Sequence, residues 1–269
     1  MSTAAITLPA PRTSALTHNL RIFAAEIRSE FTSALRTRAF SIAAIGFPVM
    51  FYTLFGLIMN HGELSNGVSI AKYMLGGYAV FGMVGAALFG IGVGLATEIR
   101  AGWLELKRAS PMPPAAYLLA KCITAMAFSL IIVTILCLLG INFGHVTLTL
   151  TEYVKMLGIT VVGAIPFTAI GLLLALTVPS NAVAGVVNMI YLPMSFLSGL
   201  WIPVFLLPHW LRVLAPWMPT YHLSQLMLSI YGYQTPNTHA LQHWLYLLGF
   251  SLLAFGCAIL AFRRRDQNS

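Results

Sequence analysis

Six stretches of this chain stay apolar for about 20 residues or more, the length that crosses the hydrocarbon core of a bilayer. They cover 39–60, 72–97, 115–140, 153–178, 183–207 and 242–262, and none has an Asp, Glu, Lys or Arg near its middle. Backbone in lipid must satisfy its own hydrogen bonds, so segments of this kind are helices. Only 8% of the residues are charged and 58% are hydrophobic, against roughly 25% charged in an ordinary soluble domain. A soluble globular fold and a disordered chain are both excluded. The sequence predicts an all-α membrane protein with six transmembrane helices.

A net charge of +8 invites a nucleic-acid reading, but the charges are sorted along the chain in another way. With both termini cytoplasmic, the inner side holds Arg12, Arg21, Arg28, Arg36, Arg38, Arg100, Lys107, Arg108, Lys121 and Arg263 to Arg265. The outer side holds only Lys72, Lys155 and Arg212. This is the positive-inside bias of a multi-pass membrane protein. No nucleic-acid partner is implied. Cys122, Cys137 and Cys257 lie inside apolar runs and read as packing residues. The first 38 residues show no short apolar core, so insertion is expected to rely on an internal segment.

Residues 1–16, with Pro9 and Pro11, read as a flexible cytoplasmic tail. Over 17–37, Leu20, Phe23, Ala24, Ile27, Phe31, Ala34 and Leu35 recur at three- and four-residue steps, while Arg21, Arg28, Glu30 and Arg36 mostly take other faces. That pattern predicts an amphipathic interfacial helix; the alternative is a helix packed on a soluble partner. The transmembrane domain follows over 38–269. In its second span Gly82, Ala86, Gly90 and Gly94 form a ridge of small residues that lets another helix approach.

Glu98, Lys121, Glu152 and Lys155 all sit near span ends. Ion-coupled carriers and charge-lined pores keep ionisable groups at depth, so both classes are disfavoured. There is no GxxxxGK[ST] loop to hold ATP and no HExxH. His239 and His243 are one helical turn apart, but Ala240, Leu241 and Gln242 add no carboxylate, so no metal site and no cofactor are expected in this chain. Ser198-Gly199 lacks the flanking pattern of a serine nucleophile, and no catalytic residue is assigned.

Two stretches are informative. The loop 98–114 alternates charge with Trp103, Leu104 and Leu106 before Pro111, Pro113 and Pro114 stop any helix. It suits a short amphipathic helix seated in a partner's groove; the alternative is a solvated basic turn. The outer region 199–230 is too apolar for a water-exposed loop and too rich in proline for one span. Irregular backbone at membrane depth must be buried in protein or line a cavity, so two short re-entrant or interfacial helices are expected between spans five and six. Trp201, Trp210, Trp217 and Tyr221 suit the headgroup zone.

Together these stretches resemble the transmembrane subunit of an ABC-type exporter, the ABC-2 type permease family. The loop carries Glu98, Arg100, Gly102, Leu106 and Pro111 in slightly altered spacing, with Lys107-Arg108 where the family often has small apolar residues. The late signature is Leu197, Ser198, Gly199, Pro203, Leu207, Pro208, Leu211 and Pro219. The resemblance implies a transport permease and not an enzyme. It implies two separate ABC ATPase subunits that carry MgATP, and a second permease copy, most simply an identical chain.

It also implies roles for particular residues. ATPase coupling falls to Glu98, Arg100, Gly102, Trp103, Glu105, Leu106, Lys107 and Arg108, with a second contact at Pro179 and Ser180. Ser198, Gly199, Pro203, Pro208 and Pro219 form the outer re-entrant motif. A substrate route along spans one, two and five offers Phe51, Tyr52, Phe55, Tyr78, Phe81, Met194 and Phe196 as lining, an aromatic and uncharged set; the alternative is core or lipid-facing packing. The expected function is outward transport of an amphipathic small molecule, such as a drug, antibiotic or lipid. The alternatives are export of a polysaccharide or glycolipid by the same machinery, and a non-transporting membrane anchor or assembly protein.

Overall fold

The fold is seen in a computed structural model, which describes residues 15–59, 62–64, 67–103, 114–233 and 239–267. The helices are α1 (Ala15–Arg36), α2 (Arg38–Ile58), α3 (Ile70–Arg100), α4 (Pro114–Phe143), α5 (Leu150–Thr177), α6 (Val183–Leu197), α7 (His209–Leu214), α8 (Pro219–Ser229) and α9 (Ala240–Gln267). Local chemistry sets several boundaries. The Ser69 hydroxyl accepts from the Lys72 amide to start α3. At α5, Thr149 and Glu152 form a reciprocal capping box. Pro219 opens α8, where a missing amide hydrogen costs nothing. Within α2 and α3 the winding loosens to a π-helical stretch, Tyr52–Ile58 and Leu88–Val93.

Among the described residues, five helices are long and apolar enough to span: Arg38–Ile58, Ile70–Arg100, Tyr117–Phe143, Leu150–Thr177 and Ala240–Ala261. The stretch expected to span at 183–207 behaves differently. Its helix, α6, ends at Leu197 after 15 residues, about 22 Å at 1.5 Å per residue and short of a hydrocarbon core of about 30 Å. The reason is local. Gly199 takes φ +74°, the left-handed conformation that favours glycine, and Pro203 and Pro208 prevent the helix from resuming.

The core is built around α3, whose residues from Tyr73 to Leu88 are all buried. Its small side chains explain the centrality. A Cβ on Gly82 would lie 2.5 Å from Ile132 Cγ2 and 3.0 Å from Pro48 Cγ, so α2 and α4 both close on that point. The predicted ridge of small residues is therefore a packing surface there. By contrast, α2 exposes Ile42, Phe47, Met50 and Ile58, and α9 exposes Leu241, Leu252 and Leu253. Such outward apolar faces are what a lipid solvent demands.

Of the two short helices expected after span five, α7 carries exposed Trp210 and Val213 beside exposed Trp217. The other, α8, is buried over nearly its whole length against α3 and α9. The amphipathic helix expected over 17–37 is α1, and it packs on α4. Phe31 meets Phe128 with ring centroids 5.6 Å apart.

Candidate functional site

Three groups of side chains stand out, and the first lies where α1, the end of α3 and the start of α4 meet. Lys121 Nζ lies 2.8 Å from Glu30 Oε2 and 2.7 Å from Glu98 Oε1. Tyr117 donates its hydroxyl to Glu98 Oε2, and Lys121 stands 5.0 Å from the centre of the Tyr117 ring. The Lys121 side chain is only 5% exposed. An ammonium so enclosed needs both carboxylates, because desolvating it alone would cost several kcal/mol. One cation thus ties three helices together at the end of the bundle that carries the 101–113 connection.

The sequence reading had placed Glu30 away from the apolar stripe of 17–37. In the structure Glu30 is buried, while Leu20 and Leu35 are exposed. The face of α1 that meets α4 carries Ile27, Phe31 and Ala34 as expected, and Glu30 joins it through its ion pair with Lys121. A clue was present in the sequence: a lone lysine just inside an apolar segment must find a carboxylate.

The predicted coupling residues divide. Glu98 belongs to the charge cluster just described. Arg100 is exposed at the end of α3. Gly102 ends that helix with φ +73°, and Trp103 beyond it is 56% exposed. Glu105, Leu106, Lys107 and Arg108 lie outside the described residues. Pro179 is exposed and Ser180 half-buried in the turn from α5 to α6, where the Ala182 amide donates to the Pro179 carbonyl at 2.8 Å.

The second group is a row of aromatic rings shared by α2, α3 and α6. Phe47, Phe51 and Phe55 stack along α2 at 6.3 and 6.0 Å. Phe51 also stacks on Trp201 at 5.6 Å and meets Phe81 edge-on at 6.1 Å. Phe196 reaches Trp201 at 6.3 Å, and Tyr191 stacks on Phe81 at 4.9 Å. Of the seven residues named for a substrate route, Phe51, Phe55, Phe81 and Phe196 thus converge. Tyr52, Tyr78 and Met194 turn into the core: the Tyr52 hydroxyl donates to the Ala71 carbonyl at 3.2 Å. Trp201, Tyr191 and Phe47 join the row although the sequence reading had not placed them in it. Trp201 escaped because α6 stops four residues earlier and the chain doubles back. The Trp201 indole nitrogen and the hydroxyls of Ser195 and Tyr78 are buried without a hydrogen-bond partner.

The outer motif forms the third group. The Ser198 and Thr220 hydroxyls are hydrogen-bonded, and Thr220 donates on to the Met194 carbonyl at 3.2 Å. These bonds fasten the broken end of α6 to the start of α8. A Cβ on Gly199 would lie 2.2 Å from Val204 Cγ2, so the turn has no room for a side chain. Pro203, Pro208 and Pro219 each precede or open a short helical piece. Next to them, His222 Nδ1 lies 2.7 Å from His243 Nδ1, while His222 Nε2 contacts the Pro216 carbonyl at 2.9 Å. Neutral His222 donates through Nε2, so His243 supplies the proton between the rings.

A broken bundle with outward apolar faces and a tied charge cluster at one end defines a multi-pass membrane protein. The family model described as ABC-2 type transporter matches residues 22–231, from α1 through α8. The chain belongs to the ABC-2 type transporter family and is a transporter permease subunit. It is similar to a Bacillus subtilis (strain 168) protein named "Putative transport permease YvfS", at 27% identity over 197 residues. That match covers 73% of this chain and 80% of the relative. Membership of the family implies pairing with an ABC ATPase.

Proposed function

We propose that this chain is the membrane half of an ATP-driven exporter in a bacterial-type inner membrane. Two copies would pair with two ATPase subunits that bind and hydrolyse MgATP, with both permease termini on the cytoplasmic side. The observation that carries the coupling reading is Lys121 bridging Glu30 and Glu98. A push on the 101–113 connection reaches α3, α4 and α1 together, because none of the three can move without stretching a buried ion pair. The positive-inside bias supports the orientation.

The substrate is an amphipathic small molecule, such as a drug, antibiotic or lipid, moved outward. Aromatic faces at Phe51, Phe196 and Trp201, backed by buried Phe81, favour flat or apolar bodies. No Asp, Glu, Lys or Arg belongs to that row, which is a poor match for a small ion.

The test is affinity purification of the chain with its ATPase, followed by hydrolysis assays in lipid nanodiscs. A stoichiometric ATPase whose rate rises with amphipathic compounds is the expected result. A chain that purifies alone, with no hydrolysis when candidate ATPases are added, would overturn the transport reading in favour of a membrane anchor. Stimulation by glycans alone would move the substrate to the polysaccharide class.

A further inference from the structure

A cleft of about 410 Å³ runs between α1 and α4. Its walls are Ile27 and Phe31 from one helix and Ile123 and Ala127 from the other. That volume equals on the order of a dozen water-sized groups. It accepts part of one alkyl chain and is too small for a folded segment of protein.

The walls are wholly apolar, and one charged side chain stands at their rim. Arg28 lines the cleft, is exposed, and makes no ion pair among the described residues.

We infer that this cleft binds one anionic phospholipid from the leaflet that α1 faces. The acyl chain lies between Ile27, Phe31, Ile123 and Ala127. The phosphate pairs with Arg28 at the rim of the cleft. A membrane is the only solvent of such a helix that offers an alkyl chain and an anion on one molecule. The bound lipid would fill the seam beside the Lys121 cluster. The inference holds whatever molecule is transported, and its test reads lipid retention alone.

The full chain in detergent is titrated with phosphatidylglycerol or phosphatidylcholine and followed by native mass spectrometry. One phosphatidylglycerol per chain is expected to be retained in preference to phosphatidylcholine. Arg28→Gln should weaken it about fivefold, the weight of one basic side chain at an anionic surface. Ala127→Phe, which fills the cleft, should remove it. Arg36→Gln deletes the same charge at the end of α1 and should leave it unchanged. Equal losses in Arg28→Gln and Arg36→Gln would reduce the effect to diffuse surface charge and overturn the inference. So would undiminished binding in Ala127→Phe. Should that variant fail to fold, the two arginine variants decide the question.

Discussion

Lys121 is the residue on which most depends. Removing its charge leaves Glu30 and Glu98 facing each other with little water, and breaking a buried pair in this way typically costs about 3–5 kcal/mol. Lys121→Met should therefore lower thermal stability in detergent by several degrees. Lys121→Met combined with Glu30→Gln should recover part of the loss, since the surviving carboxylate no longer meets a second one. Additive losses, measured by thermal unfolding of the two single variants and the double, would show that the three groups do not act as a unit. Lys121, Glu98 and Glu30 were each visible in the sequence as charges beside apolar stretches. Their pairing was not, because 91 residues separate Lys121 from Glu30 and nothing local brings them together.

At the scale of elements, helix ends matter more than helix middles. The last turn of α3 closes with the Ala101 amide on the Thr97 carbonyl and the Gly102 amide on the Ile99 carbonyl, and Gly102 then reverses φ. Proline cannot adopt that φ and has no amide hydrogen. Gly102→Pro should therefore redirect the chain entering the loop proposed for coupling while leaving the five spanning helices inserted. ATP hydrolysis should persist with substrate efflux lost, read from paired ATPase and vesicle transport assays. Unchanged rates of both would reject the coupling role. The capping box of α5 at Thr149 and Glu152 lies just outside the span expected over 153–178 and emerged only in the structure. The short α6 was legible only in part. Proline predicted a break; Gly199 turning to φ +74° places it at Leu197, and the Ser198–Thr220 hydrogen bond then fastens that end to α8.

For the whole molecule, the question is which aromatic rings meet a passing molecule and which hold the bundle together. Tyr52 and Tyr78 are fully buried, whereas Phe47 is 53% and Phe196 36% exposed. Tyr52→Phe removes a single buried hydrogen bond, about 1 kcal/mol of stability, and should leave transport intact. Trp201→Ala removes the ring on which Phe51 and Phe196 converge and should depress substrate-stimulated hydrolysis at least tenfold more than it depresses basal hydrolysis. An equal fall in both rates would assign Trp201 to packing.

Much of this architecture follows from composition and order alone. Scarce charge and long apolar runs demand helices in lipid, because the backbone has no other donor or acceptor there. The small residues of α3 announced close packing, and the prolines announced a broken fifth segment. Other features required the folded chain. Glu30 turns inward, Trp201 joins the aromatic row, and α8 sinks between α3 and α9. Each of these depends on a partner distant in sequence. Periodicity identifies which face of a helix is apolar, but only packing selects the neighbour that covers it, and one buried cation can draw a carboxylate into that contact.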